Sequence, residues 1–149
     1  MKVIIDTNIL ISGANDEHSA AFKIIREVIE GRLEAFATHQ TMSENRQMLR
    51  KLVRDREYRE LLEEYFRKLM IVKVYKPVNV VADPEDNKLF ESAGAAGADY
   101  LISQDQEVLY VGEYHGTKVV TPDEFWAKYQ EERGDDSSWQ DWTRMIMGK

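Results

Sequence analysis

The sequence predicts an α/β protein built on a mainly parallel sheet. The opening run Val3–Ile5 is an uninterrupted apolar stretch, which is typical of a central strand covered on both faces. Farther along, stretches with helical periodicity alternate with short strand-like stretches, as in repeated strand–helix–strand units. A chain of 149 residues with 43% hydrophobic content is long enough for one domain with a core of ordinary size.

The first half of the chain predicts three helices around a second strand. Residues 17–30 carry apolar side chains at helical spacing and stop at Gly31, so we expect an amphipathic helix there. Residues 34–38 are a short strand candidate, and parallel pairing with the first strand through that helix is the economical topology. Residues 41–53 and 55–69 predict two further helices from their apolar stripes.

The middle of the chain predicts one more strand and one more helix. Residues 71–75 have the composition of a strand, and Pro77 ends it. Asp83 followed by Pro84 predicts the N-cap and the first turn of a helix, which ends near Gly97.

The last part of the chain predicts the end of the domain and a distinct tail. Residues 98–103 and 117–120 predict two strands, and residues 121–124 open a final helix with a capping box. We expect the domain to occupy residues 1–132 and a helical C-terminal extension to occupy residues 133–149. The extension should pack on its own domain, on a second copy or on another protein, because it carries apolar side chains at helical spacing: Trp139, Trp142, Met145 and Ile146.

Composition excludes several classes of site and partner. The absence of cysteine removes disulfides, thiolate zinc sites and cysteine nucleophiles. The three histidines, His18, His39 and His115, lack the spacing of a histidine metal site. No run has membrane-spanning length, and the N-terminal apolar stretch is too short and lacks the small-residue cleavage site of a secretory signal, so we expect a soluble cytoplasmic protein. A net charge of −7 argues against a general nucleic-acid coat, although acids that converge on a divalent cation would have their charge cancelled locally.

Carboxylates follow two of the predicted strands. Asp6 comes directly after the first strand, and Asp105 comes just after the strand at residues 98–103. Open α/β sheets bind ligands outside the carboxyl ends of their strands, so we expect the two acids at one edge of the sheet. Acids gathered in this way repel one another unless a cation lies between them, which favours a metal site. An Asx turn or a helix cap is the alternative interpretation of Asp6.

Two more acids lie on predicted helices. Glu44 precedes Met48 by four residues and Leu52 by eight, so the spacing places its carboxylate on the side that faces the protein. Thr41 and Glu44 also fit a capping box, and both interpretations stay open. Asp86 lies in the first turn of the helix that Pro84 opens, where the helix dipole should keep its carboxylate ionised at neutral pH.

Four motifs in this order resemble the PIN-domain ribonucleases over roughly residues 1–125: Asp6-Thr7-Asn8, Ser43-Glu44, Asp83-Pro84-Glu85-Asp86-Asn87, and the run from Gly97 to Asp105. The resemblance implies a three-layer α/β/α sandwich and an endoribonuclease that hydrolyses RNA phosphodiester bonds with Mg²⁺ or Mn²⁺, one or two ions. It also implies a branch that includes toxins of bacterial or archaeal toxin–antitoxin pairs. The expected partners are single-stranded RNA, a second copy of the chain and an antitoxin protein.

The family's site residues carry over by position. Its acidic quartet falls on Asp6, Glu44, Asp86 and Asp105, with supporting polar residues at Asn8 and Ser103, where serine stands in place of the family's common threonine. We expect Asp6 and Asp105 to bind the ion directly, Asp86 to bind it directly or through water, and Glu44 to bind it or to orient the attacking water. Asn8 and Ser103 should hold the carboxylates by hydrogen bonds.

Basic residues near Glu44 are candidates for binding the substrate's phosphates: Arg46, Arg50, Lys51 and Arg54. A solvated helix face is the alternative interpretation of these four. Two other functions also stay open. One is an aspartyl-nucleophile phosphatase, which is weakened because Asn8 stands where that pattern requires a second aspartate. The other is a module of the same fold that binds RNA or protein without catalysis.

Overall fold

The computed structural model describes residues 1–133, so the predicted tail with Trp139 and Trp142 lies outside the described residues. A 3₁₀ turn at Gly13–Asn15 follows the first helix. The last helix of the described residues, called α7, includes residues 122–133. The other elements are β1 (Lys2–Ile5), α1 (Thr7–Ser12), α2 (Ala20–Ile29), β2 (Glu34–Ala37), α3 (His39–Leu52), α4 (Arg56–Lys68), β3 (Met70–Ile71), α5 (Pro84–Ala96), β4 (Tyr100–Ile102), α6 (Gln106–Val111), β5 (Glu113–Tyr114) and β6 (Thr117–Val120). None of the helices within residues 1–133 is both long enough and apolar enough to cross a membrane.

The six strands form one sheet in the order β3-β2-β1-β4-β6-β5. Neighbouring strands are parallel except for β5, which pairs antiparallel with β6. In the centre, Val3 of β1 is in register with Ala35 of β2 on one side and with Tyr100 of β4 on the other. The prediction of a mainly parallel sheet is confirmed, and β1, β2, β3 and β4 all end at one edge, called here the carboxyl edge.

Each face of the sheet carries its own hydrophobic core, because successive side chains of a strand point to opposite faces. Val3 and Ile5 join a core with α2, α4 and α7, whose buried side chains include Ile24, Ile25, Leu62, Phe66 and Phe125. Ile4 joins a second core with α5 and α6 through Phe90, Ala93 and Val108. Helices therefore cover both faces, which confirms the three-layer α/β/α arrangement.

Three predicted helix boundaries are confirmed by their contacts. The Asp83 carboxylate caps α5 by accepting a hydrogen bond from the Glu85 amide at 2.9 Å. Gly97 ends the same helix in the left-handed region at φ 62°, which glycine adopts without steric cost. At the start of α7, the Thr121 hydroxyl accepts from the Glu124 amide at 3.1 Å.

Two predicted elements are wrong in their extent. The helix predicted at residues 41–53 is α3, which begins at His39 with Thr38 as its cap. Thr41 and Glu44 therefore do not form a capping box at its start. The strand predicted at residues 71–75 is only Met70–Ile71. Its ladder ends where the Val72 amide donates to the Ala37 carbonyl, because β2 stops at Ala37 and leaves residues 73–75 without a partner strand.

Candidate active site

Asp6 and Ser103 lie side by side at the carboxyl edge, directly after β1 and β4. Asp6 is only 8% exposed, and its amide donates to the Ile102 carbonyl at 3.0 Å. The buried Ser103 hydroxyl donates to Asp6 Oδ2 at 2.8 Å and accepts from the Asp105 amide at 3.0 Å. A single hydroxyl therefore links the acids that follow two neighbouring strands. The Asp105 carboxylate also accepts from the Glu107 amide and so caps α6.

Asp86 lies in the first turn of α5, beside a loop that Asn87 holds in place. The buried Asn87 side chain accepts from the Val80 and Val81 amides and donates to the Val81 carbonyl, each at 2.9 Å. These three hydrogen bonds tie the loop to the turn of α5 that carries Asp86.

Glu44 and Asp86 both line a cleft of about 220 Å³, called here the acidic cleft. Its lining also includes Asp6 and Lys88. Glu44 is not turned into the core as predicted; its side chain is 47% exposed. The buried side of α3 carries Asn45 and Leu49, whereas Met48 and Leu52, on the side of Glu44, are exposed.

Asp105 lies close enough to Asp6 and Asp86 for its charge to raise the pKa of both. Burial raises the pKa of Asp6, the Ser103 hydrogen bond opposes this shift, and the charge of Asp105 adds to it. Burial, followed by the charges of Asp105, Asp83, Asp6 and Glu107, raises the pKa of Asp86 to about 6. The prediction that the helix dipole keeps the Asp86 carboxylate ionised would require a lowered pKa, so the raised pKa is opposite in direction. Desolvation and like charges outweigh the dipole at this position.

The family model of the PIN domain matches residues 2–107, which span β1 to the start of α6 and include all four acids. The chain belongs to the PIN-domain family. No curated protein and no solved structure matches the chain. PIN domains are generally nucleases and typically use Mg²⁺ or Mn²⁺. The fold is therefore of the nuclease type, and it is one associated with RNA binding.

The acidic side chains of this PIN domain offer the kind of donor atom that a hard divalent ion prefers, but they are not arranged as a complete set of ligands. Mg²⁺ and Mn²⁺ prefer oxygen ligands, which Asp6, Asp86 and Asp105 supply. Within residues 1–133, however, no three histidine or acidic side chains lie close enough together to hold one ion. Burial is the main reason that the pKa values of Asp6 and Asp86 are raised, and the charge of Asp105 adds to both shifts; a bound cation would offset both effects.

The predicted phosphate-binding residues of the PIN domain lie in two settings. Arg46 and Arg50 pair with Glu63, at 2.6 and 3.9 Å, in a cleft between α3 and α4 that shares no lining residue with the acidic cleft. Lys51 and Arg54 are exposed and form no ion pair with any residue of the described range. Asn8 is exposed as well; its carbonyl accepts from the Ser12 hydroxyl, and no hydrogen bond of its side chain is present within residues 1–133.

Four polar residues of the site were assigned no role from the sequence: Thr7, Asn45, Asn87 and Lys88. The Thr7 hydroxyl donates to the buried Asn45 side chain at 2.6 Å, which joins the segment after Asp6 to the helix that carries Glu44. Asn87 fixes the loop beside Asp86, and Lys88 Nζ lies 3.8 Å from Glu44 Oε2 and 3.1 Å from both Glu85 oxygens. The sequence alone gives little indication of these roles. A buried asparagine, for example, is recognised by its hydrogen-bond partners, which are not its neighbours in sequence.

Proposed function

We propose that this PIN domain is a metal-dependent endoribonuclease that hydrolyses RNA phosphodiester bonds at Asp6, Glu44, Asp86 and Asp105. The observation that carries the proposal is the pair Asp6 and Asp105, linked through the Ser103 hydroxyl at the carboxyl edge, where burial and like charge raise the pKa of Asp6 and of the nearby Asp86. A site that keeps such acids together favours a cation. Family membership adds support for nuclease chemistry.

Each acid has a distinct part in the proposed site. Asp6 and Asp105 bind Mg²⁺ or Mn²⁺ directly, Asp86 binds directly or through water, and Glu44 binds the ion or orients the attacking water. When bound, the ion supplies an acidified water and stabilises negative charge on the phosphate. Ser103 keeps Asp6 and Asp105 in fixed relative positions, and Lys88 balances the charge of Glu44.

The proposal extends to the biological setting that the family resemblance implies. The chain would act as the ribonuclease of a toxin–antitoxin pair, with an antitoxin and a second copy of itself as partners. This part rests on the resemblance of the four sequence motifs to the toxin branch of the family.

A second candidate function is an RNA-binding module without catalysis. One observation favours it: within residues 1–133, no group of three acidic or histidine side chains is arranged to hold a metal ion. The ion pair between Glu44 and Lys88 also favours it, because a paired carboxylate is less available to a cation. RNA cleavage that requires Mg²⁺ or Mn²⁺ and stops in EDTA would exclude this alternative, and hydrolysis of a small phosphoester without RNA cleavage would instead favour a phosphatase.

Replacement of Ser103 by alanine is expected to lower the rate of RNA cleavage by about 10- to 100-fold, the usual cost of losing a group that orients metal ligands. The variant leaves Asp6 Oδ2 without its donor and the Asp105 amide without its acceptor. The measurement is the initial cleavage rate of a 5′-labelled single-stranded RNA in Mn²⁺. Ser103→Thr keeps the hydroxyl and should retain most of the activity. Equal rates for Ser103→Ala and the parent would contradict the role assigned to this hydroxyl.

A further inference from the structure

Another groove lies beside the acidic cleft. It has a volume of about 700 Å³ and is formed by the segment that follows β3, the start of α3 and one side of α5. Lys88 lines both this groove and the acidic cleft, so the two adjoin at that side chain. The segment after β3 leaves the sheet at the carboxyl edge, on the same side as Asp6.

The groove concentrates basic side chains on a chain whose net charge is −7. Lys73, Lys76 and Lys88 line it together with His39, and Glu91 is its one acid within residues 1–133. Glu91 accepts a hydrogen bond from the Val78 amide at 3.2 Å, so its carboxylate is already engaged with the backbone. Lys73 and Lys76 form no ion pair with any residue of the described part of the chain, unlike Arg46 and Arg50. Both ammonium groups are therefore available to an anion.

An aromatic side chain stands exposed between these two lysines. Tyr75 is 87% exposed and lines the groove, whereas Val72 and Val74 on either side of Lys73 are half-buried. The same segment is tied to α5 farther along, by Glu91 at Val78 and by Asn87 at Val80 and Val81. An aromatic ring exposed on a tethered segment offers a stacking surface to an unpaired base.

We propose that this groove binds the single-stranded RNA substrate beside the site of cleavage, with phosphates at Lys73 and Lys76 and a base stacked on Tyr75. The inference rests on the proposed ribonuclease function and adds the path that the strand follows. The lysines supply affinity by contacting phosphates. The tyrosine ring selects single-stranded RNA, because it can stack only on a base that is not already stacked in a duplex. Lys88 then lies at the junction where the strand passes from the groove to the acids.

The test is RNA binding in EDTA, where cleavage does not interfere, with the full chain and a fluorescein-labelled oligouridylate of about ten nucleotides. Fluorescence anisotropy gives Kd over a series of salt concentrations. Lys73→Gln/Lys76→Gln is expected to weaken binding and to reduce the slope of log Kd against log salt by about 1.4, or about 0.7 for each lost phosphate contact. Tyr75→Ala is expected to raise Kd by roughly 5- to 150-fold, whereas Tyr75→Trp should bind like the parent.

A matched control removes the same charge elsewhere. Lys118 and Lys128 are exposed lysines outside the groove, without an ion pair in residues 1–133, and Lys118→Gln/Lys128→Gln should leave the salt slope unchanged.

The proposal is overturned if the parent does not bind the probe, if the control weakens binding as much as the groove variant, or if Tyr75→Ala binds as tightly as the parent. Cleavage assays in Mn²⁺ separate the two ideas. Groove-dependent binding without any cleavage would refute the nuclease function alone, and cleavage that is unaffected by the groove variants would refute the groove alone.

Discussion

Asp6→Asn is expected to lower the rate of metal-dependent RNA cleavage by more than about 100-fold, because a direct metal ligand should matter more than a group that only orients the ligands, whose loss costs about 10- to 100-fold. The change removes one negative charge and keeps the size of the side chain, so Ser103 can still donate to the remaining carbonyl oxygen. Asp105→Asn should behave alike. The measurement is the initial rate of cleavage of a 5′-labelled single-stranded RNA at saturating Mn²⁺.

Glu34→Gln is the matched control for this prediction. Glu34 is an exposed acid at the first residue of β2, at the opposite edge of the sheet from Asp6, and its replacement also removes one carboxylate charge. We expect this variant to cleave at the parent rate. Parent-like activity in both Asp6→Asn and Asp105→Asn would contradict the assigned site, provided that circular dichroism shows the variants to be folded.

Asp86→Asn is expected to stabilise the protein in metal-free buffer while weakening its response to metal. Because the pKa of Asp86 is raised to about 6, the folded protein holds a proton there that the unfolded chain releases near the ordinary value of 3.8. The free energy of unfolding of the parent therefore falls as the pH rises between these values, and the asparagine variant escapes this loss. At pH 7.5 in EDTA the variant should be more stable by about 1 kcal/mol, after allowance for solvent screening of a partly exposed group.

Metal should reverse this order of stability. At a concentration of Mn²⁺ about 100 times its Kd, the parent should gain about 2.7 kcal/mol in free energy of unfolding. Asp86→Asn should gain less, since it lacks one of the oxygen donors. Urea denaturation with and without Mn²⁺ measures both effects, and at pH 4 the advantage of the metal-free variant should disappear. A variant that is less stable than the parent in EDTA at pH 7.5, or that responds fully to Mn²⁺, would contradict the proposed part of Asp86.

Local chemistry made much of the fold predictable from the sequence. The apolar run before Asp6 marks a buried strand, and Asp83 with Pro84 marks a helix start, because capping and proline geometry depend on a few adjacent residues. The extent of β3 was not predictable, since strand length depends on the partner strand, and β2 ends at Ala37. Composition alone gives residues 73–75 the same strand character as Ile71.

The candidate site was predictable where it depends on strand ends. Parallel strands bring Asp6 and Asp105 to one edge whatever the details of packing, and their link through Ser103 follows from the same topology. The direction of the Glu44 side chain depends on the rotation of α3 about its axis, and the exposed Met48 shows that a single apolar residue is not a reliable guide to the buried side of a helix. Lys88 and the groove that contains Tyr75 depend on contacts between distant segments, to which spacing along the chain gives no guide.

The most direct measurement is an anomalous difference map from a crystal of the protein soaked with Mn²⁺. We expect at least one Mn²⁺ peak at the carboxyl edge, coordinated by oxygens of Asp6 and Asp105 and reached by Asp86 directly or through water. A map in which Mn²⁺ occupies other surface sites, while Asp6, Asp86 and Asp105 remain without an ion at saturating metal, would contradict the metal-dependent nuclease function.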